Sequence, residues 1–510
     1  MANKVYSNRI SEYAGENGGR VLLLFLLFAL AIYEFIHAGF NAFAVICLSP
    51  LAIIFIYAAF KWKMAVFWLL IVVNWFIMSR NFSVPFPKSL ADESLELLLI
   101  AVALIDIRET AYFGRAWNFM LFAIMIWFGL CTIEIFNDTC GLGLNVNAWF
   151  TGIRLLALHL VWILLVFSLY ISNPKALMAY LRVWAILSLF SAFWTWKMIN
   201  IGLTDAEHRW LYSSGYRTHL LNAGTLIRYW STFNDAATYG CNASASAIAF
   251  IVFGITAKFR KDKIFFLLTA AAVIWGMFQS GTRTAMITII AGFMVFIVLS
   301  KSVKIMVPSA IIGGFFIIIL IFTNIGNSNQ QMRRMRSAFK KEDASATVRD
   351  VNKAAIAKYM KDAPWGIGIG MMSSDIPANN KFKLLSEIPP DSEYVFLWVR
   401  TGPVGVTVFT CCMIMMLLGG CYIVLFKLKN PSLIGIGGGL CAAFVSIHLG
   451  GYANQILYQY PNGLTFFGGM AIVYILPHIE KEWIQYEEKR LAKIEERKRL
   501  KLEKKLASRV

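Results

Sequence analysis

Three stretches carry residue types at spacings suited to acid–base and anion chemistry. The first is Pro389-Pro390-Asp391-Ser392-Glu393-Tyr394, which runs straight into an apolar segment. Asp391 and Glu393 are carboxylates two residues apart at the edge of a low-dielectric region. Desolvation there raises a carboxyl group's pKa, which suits it to act as a general base. The same pattern also suits a helix N-cap followed by an acidic first turn, and both readings stay open. The second stretch is Gln279-Ser280-Gly281-Thr282-Arg283-Thr284, between two apolar runs. An arginine at the mouth of two spans is costly unless it meets an anion, water or a carboxylate. Arg283 is therefore either a bidentate phosphate contact or an anchor that snorkels to head groups. The third, Thr347 to Lys361, places Val348, Val351, Ala355, Ile356 and Tyr359 at helical spacing,. Arg349 and Lys353 share a second face, and Thr347 with Asp350 fits a capping pair. Such a helix either lies on the bilayer or turns Arg349 into a cavity.

The elements that must position these groups are membrane spans. The 510-residue chain is 58% hydrophobic, with a mean hydropathy of +0.62. Apolar runs long enough to cross a bilayer recur along it, and lipid forces each to satisfy its own backbone. The expected fold is all-α, a polytopic integral membrane protein with about 12–14 transmembrane helices and one large periplasmic loop. Spans are expected near 21–38, 43–60, 64–79, 93–107, 117–136, 153–171, 176–200, 236–256, 264–280, 283–300, 304–323, 402–426, 432–452 and 461–478. The 264–300 stretch reads alternatively as two half-helices meeting at a break. The formal charge of +19 sits mostly in short loops, where the positive-inside rule explains it without nucleic acid. The eight cysteines show no CxxC and lie mainly in apolar runs, as small hydrophobes. The polar N-terminus does not read as a cleavable signal peptide.

Basic loops at Lys61 and Lys63, Arg108 and Arg115, Lys175, Lys258 to Lys263, Lys301 and Lys304, and Lys427 and Lys429 define one side as cytoplasmic. The C-terminal tail falls with them. The opposite side receives 80–92, 137–151, 201–235, the Ser280–Arg283 corner and the loop from Asn324 to about Thr401. That last loop is long enough to read as functional. The 201–235 loop carries His208, Arg209, Arg217, His219, Arg228 and Asn234-Asp235. Arginine-rich loops on the non-basic side point to an anion there. The expected organisation is a cytoplasmic N-terminus at 1–20, N-terminal helices at 21–200, a core at 201–426 including the periplasmic loop 324–401, C-terminal helices at 427–478, and a charged, solvated cytoplasmic helical tail at 479–510. Walker A, HExxH, GxSxG and DxD patterns are missing, and the six histidines form no ligand pair, so no metal ligand and no cofactor is expected. The glycines at 366, 368 and 370 suit a chain reversal rather than a dinucleotide fingerprint.

The serine–arginine corner at 280–283, the loop helix from Arg349 with its trailing proline and glycines to Gly370, and the lead into Arg400-Thr401-Gly402-Pro403-Val404-Gly405 resemble the O-antigen ligase and O-antigen polymerase superfamily of bacterial inner-membrane glycosyltransferases. The resemblance covers roughly residues 230 to 426. It implies a glycan donor on undecaprenyl pyrophosphate, a glycan acceptor, and inverting, metal-independent transfer in a cavity beneath the periplasmic loop, within polysaccharide or lipopolysaccharide assembly. It also implies the lipid bilayer and other polysaccharide-assembly membrane proteins as surroundings, and no nucleic acid. Arg283 and Arg349 match arginines that hold the pyrophosphate; Arg228 and Arg400 are weaker candidates for the same contact. Ligases of this family carry a His-Asn pair where this chain has Asp391-Ser392. The departure favours a repeat-unit polymerase over a ligase acting on lipid A-core or protein, with Asp391 or Glu393 as the base. A flippase of lipid-linked glycans is the rival from another class. The lack of a visible internal repeat and the gathering of charge at one face favour the enzyme.

Overall fold

The computed structural model describes residues 18–38, 53–81, 88–106, 112–221, 226–301, 330–336 and 344–507, with single positions at 224 and within 307–323. The chain forms two compact units, 1–66 and 67–510. The first holds α1 (Gly18–Ala38) and α2 (Ile53–Lys61). After Trp62, α3 (Lys63–Phe76) leads into the second unit. There follow α4 (Lys88–Ile105), α5 (Phe119–Ile133), α6 (Val146–Tyr170), α7 (Pro174–Asn200), α8 (Ala236–Thr256), α9 (Arg260–Gln279) and α10 (Arg283–Leu299). Then come α11 (Gln330–Arg336), α12 (Ala344–Met360), α13 (Glu393–Tyr422), α14 (Pro431–Ala453) and α15 (Gly468–Ala507). A two-residue antiparallel ladder, β1 (Leu220–Leu221) with β2 (Leu226–Ile227), interrupts the helices.

The protein is an all-α, multi-pass membrane protein. Among the described residues, eight helical stretches are long and apolar enough to cross a bilayer, or nine if α2 and α3 count as one broken span. The larger number expected from hydropathy has identifiable sources. The α4 helix carries Lys88, Asp92, Glu93 and Glu96; α10 has only 17 residues; and 43–52 and most of 304–323 lie outside the described residues. The 264–300 stretch is two separate helices, of which α9 alone is long enough to span.

Sequence punctuation sets the helix starts. Asn118, Asn173, Asp235 and Asn430 each accept backbone N–H groups at the first turns of α5, α7, α8 and α14. Proline follows directly at 174 and 431, where its missing N–H costs nothing,. Each such cap is worth about 1 kcal/mol.

Within lipid, helices associate by close packing and hydrogen bonds rather than by the hydrophobic effect. The centre of the bundle follows that rule. Residues along α8 are almost all buried, and α9, α10 and α14 pack around it. Gly435 and Gly439 of α14, four apart, face Thr256 and Phe253 of α8 at distances that leave no room for a Cβ. Hydroxyls and amides add polar ties: Ser244 bonds Thr288 at 2.9 Å, and Asn242 donates to Asn462 at 2.8 Å.

At one end of the bundle, Asp262 pairs with Arg182 at 2.9 Å and with Arg490 at 2.8 Å, and Lys258 pairs with Glu487 at 3.1 Å. The tail is therefore not solvated throughout. Trp483 and Glu487 are buried, and Arg490 lies over the Phe259 ring, 4.0 Å from its centroid. Beyond Arg490 the described side chains are almost all exposed. The α13 stretch begins at Glu393, and Gly402 (φ 66°, ψ −174°) leaves helical geometry ahead of Pro403, so a short helix before it and a longer one after it meet at a kink close to the expected start near 402,.

Candidate functional site

The opposite end of the bundle gathers the residues singled out by chemistry. The α12 helix is seated by Ile356 and Met360, which join Ala363, Ile367, Met371, Phe382, Leu385 and Val399 in a small apolar core. Val348 and Val351, from the same expected apolar stripe, are exposed instead. Thr347 lies inside α12, which already includes Ala344, and so is not at the helix's N-cap position. This seating leaves Arg349 and Lys353 on one wall of a cavity of about 330 Å³. Pro390, Asp391, Tyr394, Trp398 and Tyr452 line the rest.

Asp391 has a left-handed backbone, φ 52°. Aspartate tolerates that region better than most residues because its short polar side chain bonds locally. Its Oδ2 accepts from Asn352 Nδ2 at 2.6 Å, so one turn of α12 beyond Arg349 fixes the carboxylate in the cavity wall. Ser392, not Asp391, occupies the N-cap position of α13, and its hydroxyl donates to the Gly451 carbonyl at 3.3 Å. Glu393 is 4% exposed and turns away from this cavity. Its Oε2 accepts the Leu457 N–H at 3.0 Å and so holds the connection between α14 and α15. The two carboxylates that look equivalent in the sequence thus occupy different surroundings.

The arginines divide in a similar way. Arg228 follows β2 and donates from Nε to Ser280 O at 3.3 Å, from Nη1 to Thr218 O at 2.9 Å and from Nη2 to Thr282 Oγ1 at 3.1 Å. Burial holds its guanidinium below the usual range; the positive charges of Arg283 and Arg349 push the same way, and Asp235 opposes them. Arg228, Arg283 and Arg349 therefore share one electrostatic environment. Gly281 (φ 57°) makes the corner that sets Arg283 at the first turn of α10. Arg334 of α11 donates from Nε to the Gly281 carbonyl at 2.9 Å. The sequence reading missed Arg334, since the run Gln330 to Arg336 holds three arginines and nothing in its spacing selects one. Arg400 lies elsewhere. It stacks over Phe396, 5.2 Å from the centroid, and its electrostatic neighbours are Asp375 and Cys140. Its carbonyl accepts the Gly368 N–H at 3.0 Å, so this residue sits against the glycine turn.

The glycine turn is built by close backbone approach. A Cβ at Gly402 would overlap the Pro364 carbonyl, and one at Gly370 would overlap the Ala148 carbonyl. The Ile367 N–H donates to Val399 O at 2.9 Å, which fixes the segment before Asp391 against α13.

The histidines of the 201–235 loop do not enter the cavity. His219 packs between Trp210 and Trp230, with ring centroids at 4.9 and 5.5 Å. Its Nε2 accepts the Ala236 N–H at 3.0 Å, which places the proton on Nδ1, facing Gly215 O at 3.3 Å. Burial first, and Arg228 second, push its pKa down to about 4. His208 is exposed and stacks with Tyr212 at 4.6 Å.

A helical bundle that sets Arg349, Lys353 and Asp391 in one cavity, with Arg228 and Arg283 in the same electrostatic environment as Arg349, is suited to handling an anionic substrate. Residues 265–410 match the family described as O-Antigen ligase. The matched segment runs from α9 into α13 and contains Arg283, Arg334, Arg349, Asp391, Glu393 and Arg400. No curated protein matches the chain.

Proposed function

We propose that the protein is an inverting membrane glycosyltransferase that polymerises undecaprenyl-pyrophosphate-linked glycan repeats at the periplasmic face of the bacterial inner membrane. The observation that carries this reading is the shared cavity of Arg349 and Asp391, with Asp391 held by Asn352. A hydroxyl of one lipid-linked repeat attacks the anomeric carbon of a second, on the face opposite the pyrophosphate. The bond from that carbon to the pyrophosphate oxygen breaks, and the electron pair leaves with the pyrophosphate. Asp391 takes the hydroxyl proton. Arg349 and Arg283, with Arg228 behind them, stabilise the charge that grows on the leaving group, so this step needs no metal. Glu393 acts at a distance by fixing the connection beside the cavity. Arg400 supports the glycine turn.

The test is extension of a purified undecaprenyl-pyrophosphate glycan by the purified chain, with EDTA added at the start. Longer lipid-linked glycan is the expected product. An initial rate that collapses on chelation, in the wild type and in Glu96→Gln alike, overturns the mechanism. Because the matched family is described as a ligase, lipid A-core is supplied in a parallel reaction; transfer to it in preference to a second repeat makes the protein a ligase. Cysteines placed by Ser374→Cys and Lys493→Cys test the sidedness: an impermeant reagent outside the membrane should label the first and spare the second, and the reverse sinks the orientation.

A further inference from the structure

Away from the arginine cavity, α4 and α6 bury a group of charges that this mechanism does not use. Asp92 and Glu96 stand four apart on α4, so they share one helix face, and both are 0% exposed,. His159 of α6 faces them, with Nδ1 at 3.2 Å from Glu96 Oε2 and Nε2 at 4.0 Å from Asp92 Oδ2. One donor atom from each of the three residues lies within 4.8 Å of the other two. Glu93, next in sequence, is paired with Arg154 at 2.7 Å.

Two further facts point to a ligand. The first is orphaned polarity. Glu96 Oε1 and Asp92 Oδ2 receive no hydrogen bond, and Glu96 Oε2 meets only the His159 ring nitrogen at 3.2 Å. Asn74 donates to the other Asp92 oxygen at 2.8 Å, and its own Oδ1 is likewise buried and without a hydrogen bond. Buried carboxylates are costly unless they are paired or coordinate a cation. The second is charge. Asp92, Glu93 and Glu96 set three carboxylates against the single guanidinium of Arg154. With all three carboxylates ionised, a protonated His159 still leaves one negative charge enclosed, whereas a divalent cation beside a neutral imidazole closes the balance to zero; protonating Asp92 together with His159 is the metal-free alternative that the experiment below separates.

We propose that Asp92, Glu96 and His159 form a buried site for one divalent transition cation that clamps α4 to α6. Two carboxylate oxygens and one imidazole nitrogen make a mixed O/N donor set suited to Mn²⁺ or Zn²⁺ rather than to a soft, thiolate-seeking ion. The i, i+4 carboxylates of one helix and a histidine of another resemble the way bundle cores assemble metal sites. The site lies outside the arginine cavity, so its function is to fix the packing of α4 against α6.

The experiment uses the full chain, purified in detergent, stripped with chelator, dialysed and titrated with Mn²⁺ alone. Electron paramagnetic resonance should report one bound Mn²⁺ per chain, and Zn²⁺ should displace it. Glu96→Gln and His159→Gln should each weaken binding by at least about tenfold, as loss of a direct ligand requires. Thermal unfolding supplies a second reading: Mn²⁺ should raise the midpoint of the stripped wild type and not that of Glu96→Gln. If Glu96→Gln fails to fold, His159→Gln and the metal response of the wild type carry the decision. Absence of stoichiometric binding by both metals overturns the proposal. So does binding that survives both substitutions, or a midpoint that responds to pH but not to metal, which would mean that the cluster holds protons only.

Discussion

Asp391→Asn separates chemistry from architecture unusually well, because the local backbone permits it. Asp391 sits at φ 52°, where asparagine is as acceptable as aspartate while alanine costs roughly 1–2 kcal/mol. The amide can still accept from Asn352 Nδ2, now at 2.6 Å from the carboxylate. Loss of the charge assistance in that bond costs about 1 kcal/mol. For a chain of this size that corresponds to a midpoint shift of no more than about 2–4 °C. Removal of a general base, by contrast, lowers turnover by about 10²–10⁴-fold. The assay is the initial rate of glycan extension from the lipid-linked donor, read from product length on gels, with expression and thermal midpoint measured on the same preparation. Asp391→Gly, which also accepts the left-handed backbone, should be as inactive as the asparagine variant. Asp391→Ala is uninformative by itself, since backbone strain and loss of the base coincide there. A rate for Asp391→Asn within about tenfold of the wild type, at an unchanged midpoint, would falsify the assignment of this carboxylate as the base.

Three further outcomes are expected. Arg283→Ala should lose turnover by a factor on the order of 100 or more, and Arg283→Lys should recover only part of it, because lysine keeps the charge without the fork; full recovery by lysine would reduce Arg283 to a point charge. His219 should make stability pH-dependent: its pKa is about 4 in the fold against about 6.5 unfolded. Its contribution is therefore complete above pH 6.5 and is lost as pH falls towards 4, by at most about 3 kcal/mol. His219→Gln should flatten the fall in thermal midpoint over that window, and an unchanged slope removes His219 as its cause. Gly402→Ala should lower the thermal midpoint and glycan extension together, since it meets both a left-handed φ of 66° and the Pro364 carbonyl, at a cost of about 1–3 kcal/mol or more; a variant with wild-type stability and rate would show that the bend relaxes freely.

The membrane class was legible because it depends on run length and composition; the starts of α7 and α14 fall at Asn-Pro pairs, just ahead of the apolar runs expected from 176 and 432. The shared face of Arg349 and Lys353 was also readable from helical spacing alone. The direction in which the opposite stripe of α12 faces was not: periodicity marks Val348 and Ile356 alike, and only docking against Phe382 and Val399 buries one and leaves the other exposed. The different settings of Asp391 and Glu393 follow from one positive φ, which the sequence does not declare at an aspartate. Gly402-Pro403 breaks the helical geometry of α13, and the Pro364 and Gly366 backbone packs against that kink. Asp92, Glu96 and His159 were passed over because histidine and carboxylates more than sixty residues apart in sequence have no spacing to read.

The contacts between the glycine turn and its neighbours are made largely by backbone atoms: Gly370 on the Ala148 carbonyl, Gly402 beneath the Pro364 carbonyl, and Ile367 and Gly368 bonded to the carbonyls of Val399 and Arg400. A segment seated through its main chain leaves most of its side chains uncommitted. Along 372–381, exposed residues such as Ser374, Ala378 and Asn379 are therefore open to replacement without unseating the turn. The arrangement separates where the loop sits from what it presents, so that its outward-facing residues can change while its seat on the bundle stays the same.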